Sequence, residues 1–213
     1  KNNVTEHVKT DNMIAAKFNH YVSRANDPQL HTHAVILNQT MHEGKLMAVD
    51  NPALYKNKIL YGQMYRNELA AELLKRGYDL SVTDAQKGFF ELKCIPEAAL
   101  EQFSQRRQEI EAKLKDWDTN GAKAAEKAVL LTRQAKEHRD LSTLTESWRA
   151  TLNEMGGVKI EKSEGPILRT EEEKRQALEQ AVERLTRKEF AFSEKDLKRA
   201  TLAAGVGSGL TEE

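Results

Sequence analysis

The sequence contains a single cysteine, Cys94, so it cannot form a disulfide within the chain. A reducing compartment is the expected environment. The sequence also lacks a continuous apolar run of about 18 residues, the length that a membrane-spanning helix needs. Its first residues do not have the pattern of a signal peptide. These absences argue against a disulfide-rich secreted domain and against membrane insertion.

The chain has no net charge, because 33 Lys and Arg residues balance 33 Asp and Glu residues. A basic face can still be offset by acidic helices elsewhere, so charge alone neither indicates nor excludes nucleic-acid binding. With 213 residues, of which 39% are hydrophobic and 31% charged, the chain is long enough to bury a substantial core.

Two sequence patterns predict an α+β fold. Up to about residue 50, and again over 78–95, β-branched and aromatic residues alternate with polar ones, as they do in strands. Most of the remaining chain shows helical spacing of apolar residues. We expect an antiparallel sheet that is covered by helices, with a mostly helical C-terminal extension.

The first predicted helix ends at Gly77 and the second begins at Pro96. The first is predicted to bury Leu54, Tyr61, Tyr65, Leu69 and Leu73, and the second Leu100, Phe103, Ile110, Leu114 and Trp117. Further helices are predicted over 122–139 and 143–155, and Thr143 with Glu146 resembles a capping box at the start of the latter.

The composition changes near residue 156, which predicts a boundary. We expect one domain over 1–155, a charged linker with Gly and Pro over 156–170, and the helical start of a downstream module over 171–213. Thr170 with Glu173, and later Ser193, mark predicted helix starts. The last residues, "GVGSGLTEE", are expected to fray. Their glycines are not followed by the Lys and Ser/Thr of a phosphate-binding loop, so ATP binding there is unsupported.

Three of the six histidines lie within residues 18–38, in "FNHYVSRANDPQLHTHAVILN". Side chains alternate along a strand, so His31 and His33 project from one face. His20 ends the preceding strand, and Asn, Asp and Pro between them suit a hairpin connection. Three neutral imidazoles can bind a divalent ion, although spacing alone fits a half-exposed surface cluster equally well. We expect His42 to face solvent and leave His7 and His138 unassigned.

The string "AKFNHYVSRANDPQLHTHAVILN" closely resembles the histidine motif of conjugative relaxases of the TrwC/TraI relaxase-helicase type, in the HUH endonuclease superfamily. The resemblance continues through "YKNKILYGQMYRNELAAELLKRGYDL" and covers roughly residues 10–160. It implies a bacterial, cytoplasmic nickase that cuts single-stranded DNA at an origin of transfer and forms a covalent 5′-phosphotyrosine. Its implied partners are that DNA, an upstream relaxase segment, a helicase module downstream and the conjugation machinery.

Carried onto this chain, the resemblance makes His20, His31 and His33 the ligands of a divalent metal, Mg²⁺ or Mn²⁺, with Zn²⁺, Ni²⁺ and Cu²⁺ as alternatives. Asp27 would orient a ligand or the hairpin, although ordinary turn chemistry explains it too. The candidate DNA contacts are Lys17, Arg24, Gln29, Lys56, Lys58 and Arg66. Each could equally be a solvated side chain on an exposed face.

The family's nucleophilic tyrosine lies near the protein's N-terminus, well before the histidine motif. None of the tyrosines here, which are Tyr21, Tyr55, Tyr61, Tyr65 and Tyr78, is assigned that role. We therefore expect the later part of a relaxase, inactive alone because a covalent mechanism needs a nucleophile. Two alternatives remain: a non-catalytic fragment for single-strand binding or translocation recognition, and a metal-dependent phosphodiesterase that uses water.

Overall fold

The computed structural model describes residues 7–119, 121–133, 139–187 and 191–208. The strands are β1 (Ala15–Val22), β2 (Pro28–Ile36), β3 (Thr40–His42), β4 (Lys45–Met47), β5 (Leu80–Asp84) and β6 (Phe89–Leu92). The helices are α1 (Pro52–Lys75), α2 (Glu97–Gln102), α3 (Gln105–Asp116), α4 (Ala122–Leu131), α5 (Leu141–Glu154), α6 (Glu171–Thr186) and α7 (Glu194–Ala204). The predicted α+β class is confirmed. Across the described ranges the strands form three separate antiparallel pairs, β1–β2, β3–β4 and β5–β6.

The chain divides into two compact units. Unit 1 contains Lys1–Asp50 and Pro96–Val158, and unit 2 contains Asn51–Ile95 and Lys159–Glu213. The described part of the chain has no helix that is both long and apolar enough to cross a membrane.

Unit 1 contains the histidine hairpin, whose loop is closed by its own polar groups. The Ser23 hydroxyl accepts hydrogen bonds from the backbone N–H groups of Ala25 and Asp27, each at 3.1 Å. Asn26 adopts a positive φ of 63°, which asparagine tolerates better than most residues. The indole Nε1 of Trp148, on α5, donates to the Asn26 carbonyl at 2.9 Å. The loop is therefore fastened to a helix that lies more than a hundred residues further along the chain.

The helices of unit 1 differ from the prediction at three points. The helix predicted over 122–139 ends at Leu131, and residues 134–138 lie outside the described residues. The helix predicted to begin at Pro96 is two helices, α2 and α3, separated at Phe103 and Ser104. The cap of α5 is Asp140, whose carboxylate accepts from the Ser142 N–H at 3.0 Å, and not the predicted Thr143. The aspartate accepts from an N–H of the first turn that has no partner within the helix. The helix therefore begins at Leu141, two residues before the predicted start.

Unit 2 is organised around the end of α1. The N–H of Gly77 donates to the Leu74 carbonyl and that of Tyr78 to the Leu73 carbonyl, each at 3.0 Å, which is a Schellman ending. Gly77 has a φ of 86°, as such an ending requires. A small core of Ala70, Leu74, Leu80 and Val206 lies beside it, with Phe90, Leu92 and Ile167 packed around.

The buried face of α1 is not the predicted one. Its buried residues are Gln63, Asn67, Ala70 and Leu74. Tyr65 is 67% exposed, and Tyr61 and Leu69 are also exposed. The helical period was correct, but two adjacent faces of α1 carry apolar groups, and the face that packs includes a Gln63–Asn67 amide pair 3.4 Å apart. Hydrophobic spacing does not indicate that buried amides will pair in this way.

The segment predicted as a linker is attached to unit 2. The N–H of Ser163 donates to the Gly77 carbonyl and that of Ile167 to the Leu74 carbonyl, each at 2.9 Å. Residues 155–170 contain no helix or strand. The division into 1–155, 156–170 and 171–213 stays a prediction.

Both predicted helix starts in this part are confirmed. Thr170 with Glu173, and Ser193 with Asp196, form reciprocal capping boxes. The expected fraying is wrong for 205–208, because Val206 is only 4% exposed and the Arg169 Nε donates to the Gly207 carbonyl at 2.8 Å. Residues 209–213 lie outside the described residues.

Candidate metal centre

The three histidines of the hairpin meet on one face of β1–β2. The antiparallel register pairs His20 with His31 and Phe18 with His33, so the side chains at these positions share a face. The ring centroids lie 5.2 Å apart for His20 and His31, 4.6 Å for His20 and His33, and 5.1 Å for His31 and His33. One nitrogen from each ring lies within 4.8 Å of the others. The structure thus brings together the three histidines that strand alternation grouped, and their role as metal ligands stays a prediction.

The hydrogen bonding of His31 indicates which nitrogen can face a metal. Its Nδ1 lies 2.9 Å from the backbone carbonyl oxygen of Gln29. A carbonyl only accepts, so this contact requires a proton on Nδ1 and leaves Nε2 as the ligand atom. Metal-binding histidines commonly donate their other N–H to a carbonyl in this way, which fixes the ring's orientation.

The donor set fits a transition metal. His20 and His31 are half-buried and His33 is exposed, so the site is open to solvent and to a further ligand. Metal–imidazole bonds of about 2.0–2.1 Å would draw the three nitrogens closer together, which a small adjustment of χ angles allows. Three imidazoles without a carboxylate suit Zn²⁺, Cu²⁺ or Ni²⁺ better than Mg²⁺, which prefers oxygen ligands.

Asp27 is buried at the end of the hairpin loop. Its Oδ2 accepts from the Gln105 N–H, at the start of α3, at 3.1 Å and from the Ser23 hydroxyl at 3.3 Å. Its Oδ1 is buried without a hydrogen-bond partner among the described groups. Burial raises the pKa of this carboxyl, and the hydrogen bonds from Ser23 and Gln105 oppose the rise only in part. These contacts anchor the loop to α3, as turn chemistry would.

The candidate DNA contacts do not all lie on the histidine face. Gln29 shares the face of His31 and His33 by alternation, whereas Lys17 pairs with Ala34 and projects from the opposite face. Arg24 lies in the loop between β1 and β2 and is half-buried. Lys56, Lys58 and Arg66 lie on α1, which belongs to unit 2, whereas the histidines belong to unit 1.

The other histidines stay outside the cluster. His42 ends β3 and is half-buried rather than fully solvent-facing. His7 Nδ1 lies 3.3 Å from the Asp50 carboxylate. His138 lies outside the described residues.

Two residues that hold the hairpin were missed at the sequence level, Gln105 and Trp148. Their contacts with Asp27 and Asn26 join positions 78 and 122 residues apart. Local spacing carries no signal for such contacts. The only indication in the sequence of such a contact was that Trp148 is a large aromatic residue in a mostly polar helix.

Comparison with known proteins gives the family. The TrwC relaxase family matches residues 1–155. The chain belongs to the TrwC relaxase family. A curated relative, the multifunctional conjugation protein TraI of Escherichia coli strain K12, is 34% identical over 161 residues, which are 71% of this chain and 9% of that protein.

A second Escherichia coli TraI protein is 30% identical over 220 residues, covering 93% of this chain and 12% of the relative. The chain thus spans about a tenth of the length of these curated relatives. A metal-bound structure of the conjugative relaxase TrwC in complex with OriT DNA matches with a TM-score of 0.65 and 35% identity, covering 70% of this chain and 53% of that one. The family match over residues 1–155 includes the part of this chain that carries the histidines.

Proposed function

We propose that this chain supplies the metal-binding part of a conjugative relaxase, which nicks one DNA strand at an origin of transfer. The observation that supports this most strongly is the convergence of His20, His31 and His33 within 4.8 Å in a chain of the TrwC relaxase family. A metal-bound TrwC with OriT DNA has the same fold at 35% identity, which supports a divalent ion and a single-stranded DNA partner here.

The histidines hold and orient the ion, and the Gln29 carbonyl keeps His31 in the tautomer that presents Nε2. A bound divalent ion would act as a Lewis acid on a phosphate oxygen and stabilise its developing negative charge. Because the imidazoles must be neutral to bind, acid conditions weaken the site. Transition metals bind this donor set more tightly than Mg²⁺.

The DNA strand would approach the exposed His33 side of the hairpin, where Gln29 also projects. Arg24 in the loop would contact a phosphate beside the metal. Lys17, on the opposite face, would contact a different part of the DNA. Lys56, Lys58 and Arg66 would add contacts from α1. Asp27 acts on the site by holding the loop and not by touching the DNA.

None of the tyrosines in this chain is the proposed nucleophile. In the family that this chain resembles, the nucleophile precedes the histidine motif, whereas Tyr55, Tyr61, Tyr65 and Tyr78 all follow it. Tyr21 follows His20 at the point where the register of β1–β2 shifts, and it lies within the histidine motif rather than before it. We expect the reacting tyrosine to belong to another segment of the relaxase. The proposed partners are a helicase module and the conjugation machinery, and the proposed location is a bacterial cytoplasm.

Incubation with a labelled single-stranded origin-of-transfer oligonucleotide and Mn²⁺, followed by denaturing electrophoresis, tests the proposal. The isolated chain should bind the oligonucleotide weakly, in a salt-dependent manner, and form no covalent adduct. A longer relaxase that includes this chain should form an adduct, and its His33→Ala variant should not.

Each other outcome identifies a different function. An adduct on Tyr21 or Tyr55 of the isolated chain would contradict the assignment of the nucleophile. Cleaved DNA free of protein would indicate a phosphodiesterase that uses water. Binding without an adduct, even in the longer protein, would indicate a non-catalytic role in single-strand recognition.

A further inference from the structure

Unit 2 contains a cavity of about 480 Å³ with an excess of positive charge. Its walls come from α1, the turn between β5 and β6, α6 and α7. The charged side chains that line it are Lys58, Arg66, Lys87, Arg184 and Arg199, opposed by the single carboxylate of Asp196. Two of its walls, α6 and α7, follow the residues matched by the relaxase family.

In the part of the chain that the structure describes, two of these cations lie within ion-pair distance of a carboxylate. Lys87 Nζ lies 3.0 Å from Asp84, and Arg199 lies 3.9 Å from Asp196. Among the described residues, no carboxylate forms an ion pair with Lys58, Arg66 or Arg184. Three positive charges therefore line one concave site without an ion-pair partner among the described residues.

Arg66 is held in a fixed position inside this site. Its Nη2 donates to Gln63 Oε1 at 2.9 Å, and Gln63 itself is buried. The guanidinium carbon lies 5.0 Å from the centroid of the Phe89 ring, within range of a cation–π contact. The Nε is buried and has no hydrogen-bond partner among the described groups, so the terminal Nη groups are the donors that an anion in the cavity would meet.

Arg184 is also oriented by the fold. Its Nη1 donates to the Ala85 carbonyl, in the β5–β6 turn, at 3.0 Å, which directs the side chain from α6 across to the wall that Lys87 and Phe89 form. The guanidinium has further donors that can reach into the cavity. Two arginines held in this way can bind phosphate with several parallel hydrogen bonds.

We propose that this cavity is a phosphate-binding site for a ligand that carries two or more phosphate charges. A carboxylate or a single monoanion would leave part of the positive charge unbalanced. Ile59, Leu185, Ala200 and the Phe89 ring give the cavity an apolar side that can accept the non-phosphate part of a ligand. Its volume lies within the range of about 300–1,000 Å³ that is usual for small-molecule sites.

The phosphates have two chemical sources, the terminal groups of a nucleoside polyphosphate or adjacent phosphates of a single strand. In the second case the site extends the DNA contacts proposed for Lys58 and Arg66, and it then rests on the proposed relaxase function. In both cases binding requires no metal ion, so this site is independent of the histidine cluster.

Calorimetric titration of the 213-residue chain with pyrophosphate, in buffer freed of metals by a chelating resin, tests the site. Lys58→Gln, Arg66→Gln and Arg184→Gln should each lower the affinity about tenfold, since each removes a charge-assisted contact. The matched control is Lys75→Gln, which removes an exposed cation from the same helix as Lys58 and Arg66 and should change the affinity less than about twofold. Thermal unfolding identifies any variant that fails to fold, and Arg66→Lys should keep part of the affinity because it keeps the charge.

Parallel titrations with a nucleoside triphosphate and with oligothymidylate distinguish the two sources. Loss of triphosphate binding in the cavity variants, with oligothymidylate binding unchanged, assigns the site to a small ligand. Parallel loss of oligothymidylate binding assigns the phosphates to DNA. Absence of pyrophosphate binding, or an equal loss in Lys75→Gln, overturns the proposal whatever the outcome of the nicking experiment, because no metal or nicking step is involved.

Discussion

The β1–β2 hairpin of unit 1 and the core of unit 2 are held together in different ways. In the hairpin most side chains are exposed, and the histidine positions follow from backbone register and a loop closed by Ser23 and Asp27. In unit 2, Ala70, Leu74, Leu80 and Val206 pack together although Val206 lies far along the chain. The histidine cluster thus depends on the geometry of the hairpin, whose loop Gln105 and Trp148 also hold, whereas the core of unit 2 depends on packing between distant segments. Substitutions should therefore affect one region and leave the other intact.

The largest expected effect is on metal binding. His20→Ala, His31→Ala and His33→Ala should each lower the affinity for Zn²⁺ or Mn²⁺ by at least about a hundredfold, because each removes one of three ligands. His42→Ala, outside the cluster, should bind as the unmodified chain does. Calorimetric titration measures all four, and equal losses would show that a different set of histidines binds the ion.

Truncation in the unit 2 core should have the largest effect on stability. Leu74 is only 2% exposed, and Leu74→Ala should lower the free energy of unfolding by about 2–5 kcal/mol, because it removes buried contacts and leaves a cavity. Hydrogen exchange followed by mass spectrometry should show faster exchange in peptides of α1, β5 and β6 but not in β1–β2. Equal acceleration in the hairpin would show that the two regions unfold together.

A smaller effect is expected where the 159–167 segment meets the end of α1. A Cβ at Gly77 would lie 2.5 Å from the Ser163 carbonyl oxygen, and φ there is 86°. Gly77→Ala should therefore cost about 2–4 kcal/mol, the sum of backbone strain and displacement of that segment.

Gly157→Ala is the matched control for this substitution. Gly157 also has a positive φ, of 77°, but a Cβ there would meet nothing within 4 Å among the described residues. It should cost only the strain, about 1 kcal/mol. Urea unfolding compares the two, and equal costs would show that the segment moves away from α1 at no cost.

The smallest expected effect concerns the pH dependence of the loop anchor. The pKa of Asp27 is raised by burial, so the folded chain favours the protonated carboxyl. Its contribution to stability is therefore greatest below its unfolded pKa and is lost as the pH rises through the raised folded value. Urea unfolding of the metal-free chain from acid to neutral pH should show that Asp27→Asn lacks this decline. An identical pH dependence in both proteins would contradict the assignment.

The histidine site could be predicted from the sequence because its geometry is local. Strand alternation places His31 and His33 on one face, and the hairpin turn at the Asp-Pro sequence places His20 opposite His31. The buried face of α1 could not be predicted, because it depends on the Gln63–Asn67 pair and on residues that approach from elsewhere in unit 2. The burial of Val206 was missed for the same reason, since a glycine-rich terminus has the composition of a flexible end.

The hydrogen bond from Trp148 to Asn26 supplies the chain with a built-in optical reporter. The indole of Trp148 donates to the loop that joins the two histidine-bearing strands, so we expect its emission to change when that loop moves. The other tryptophan, Trp117, is flanked by the ammonium groups of Lys113 and Lys127, each 5.6 Å from its ring. A change in fluorescence on addition of metal or DNA that disappears in Trp148→Phe would thus follow the hairpin in real time, without an attached dye.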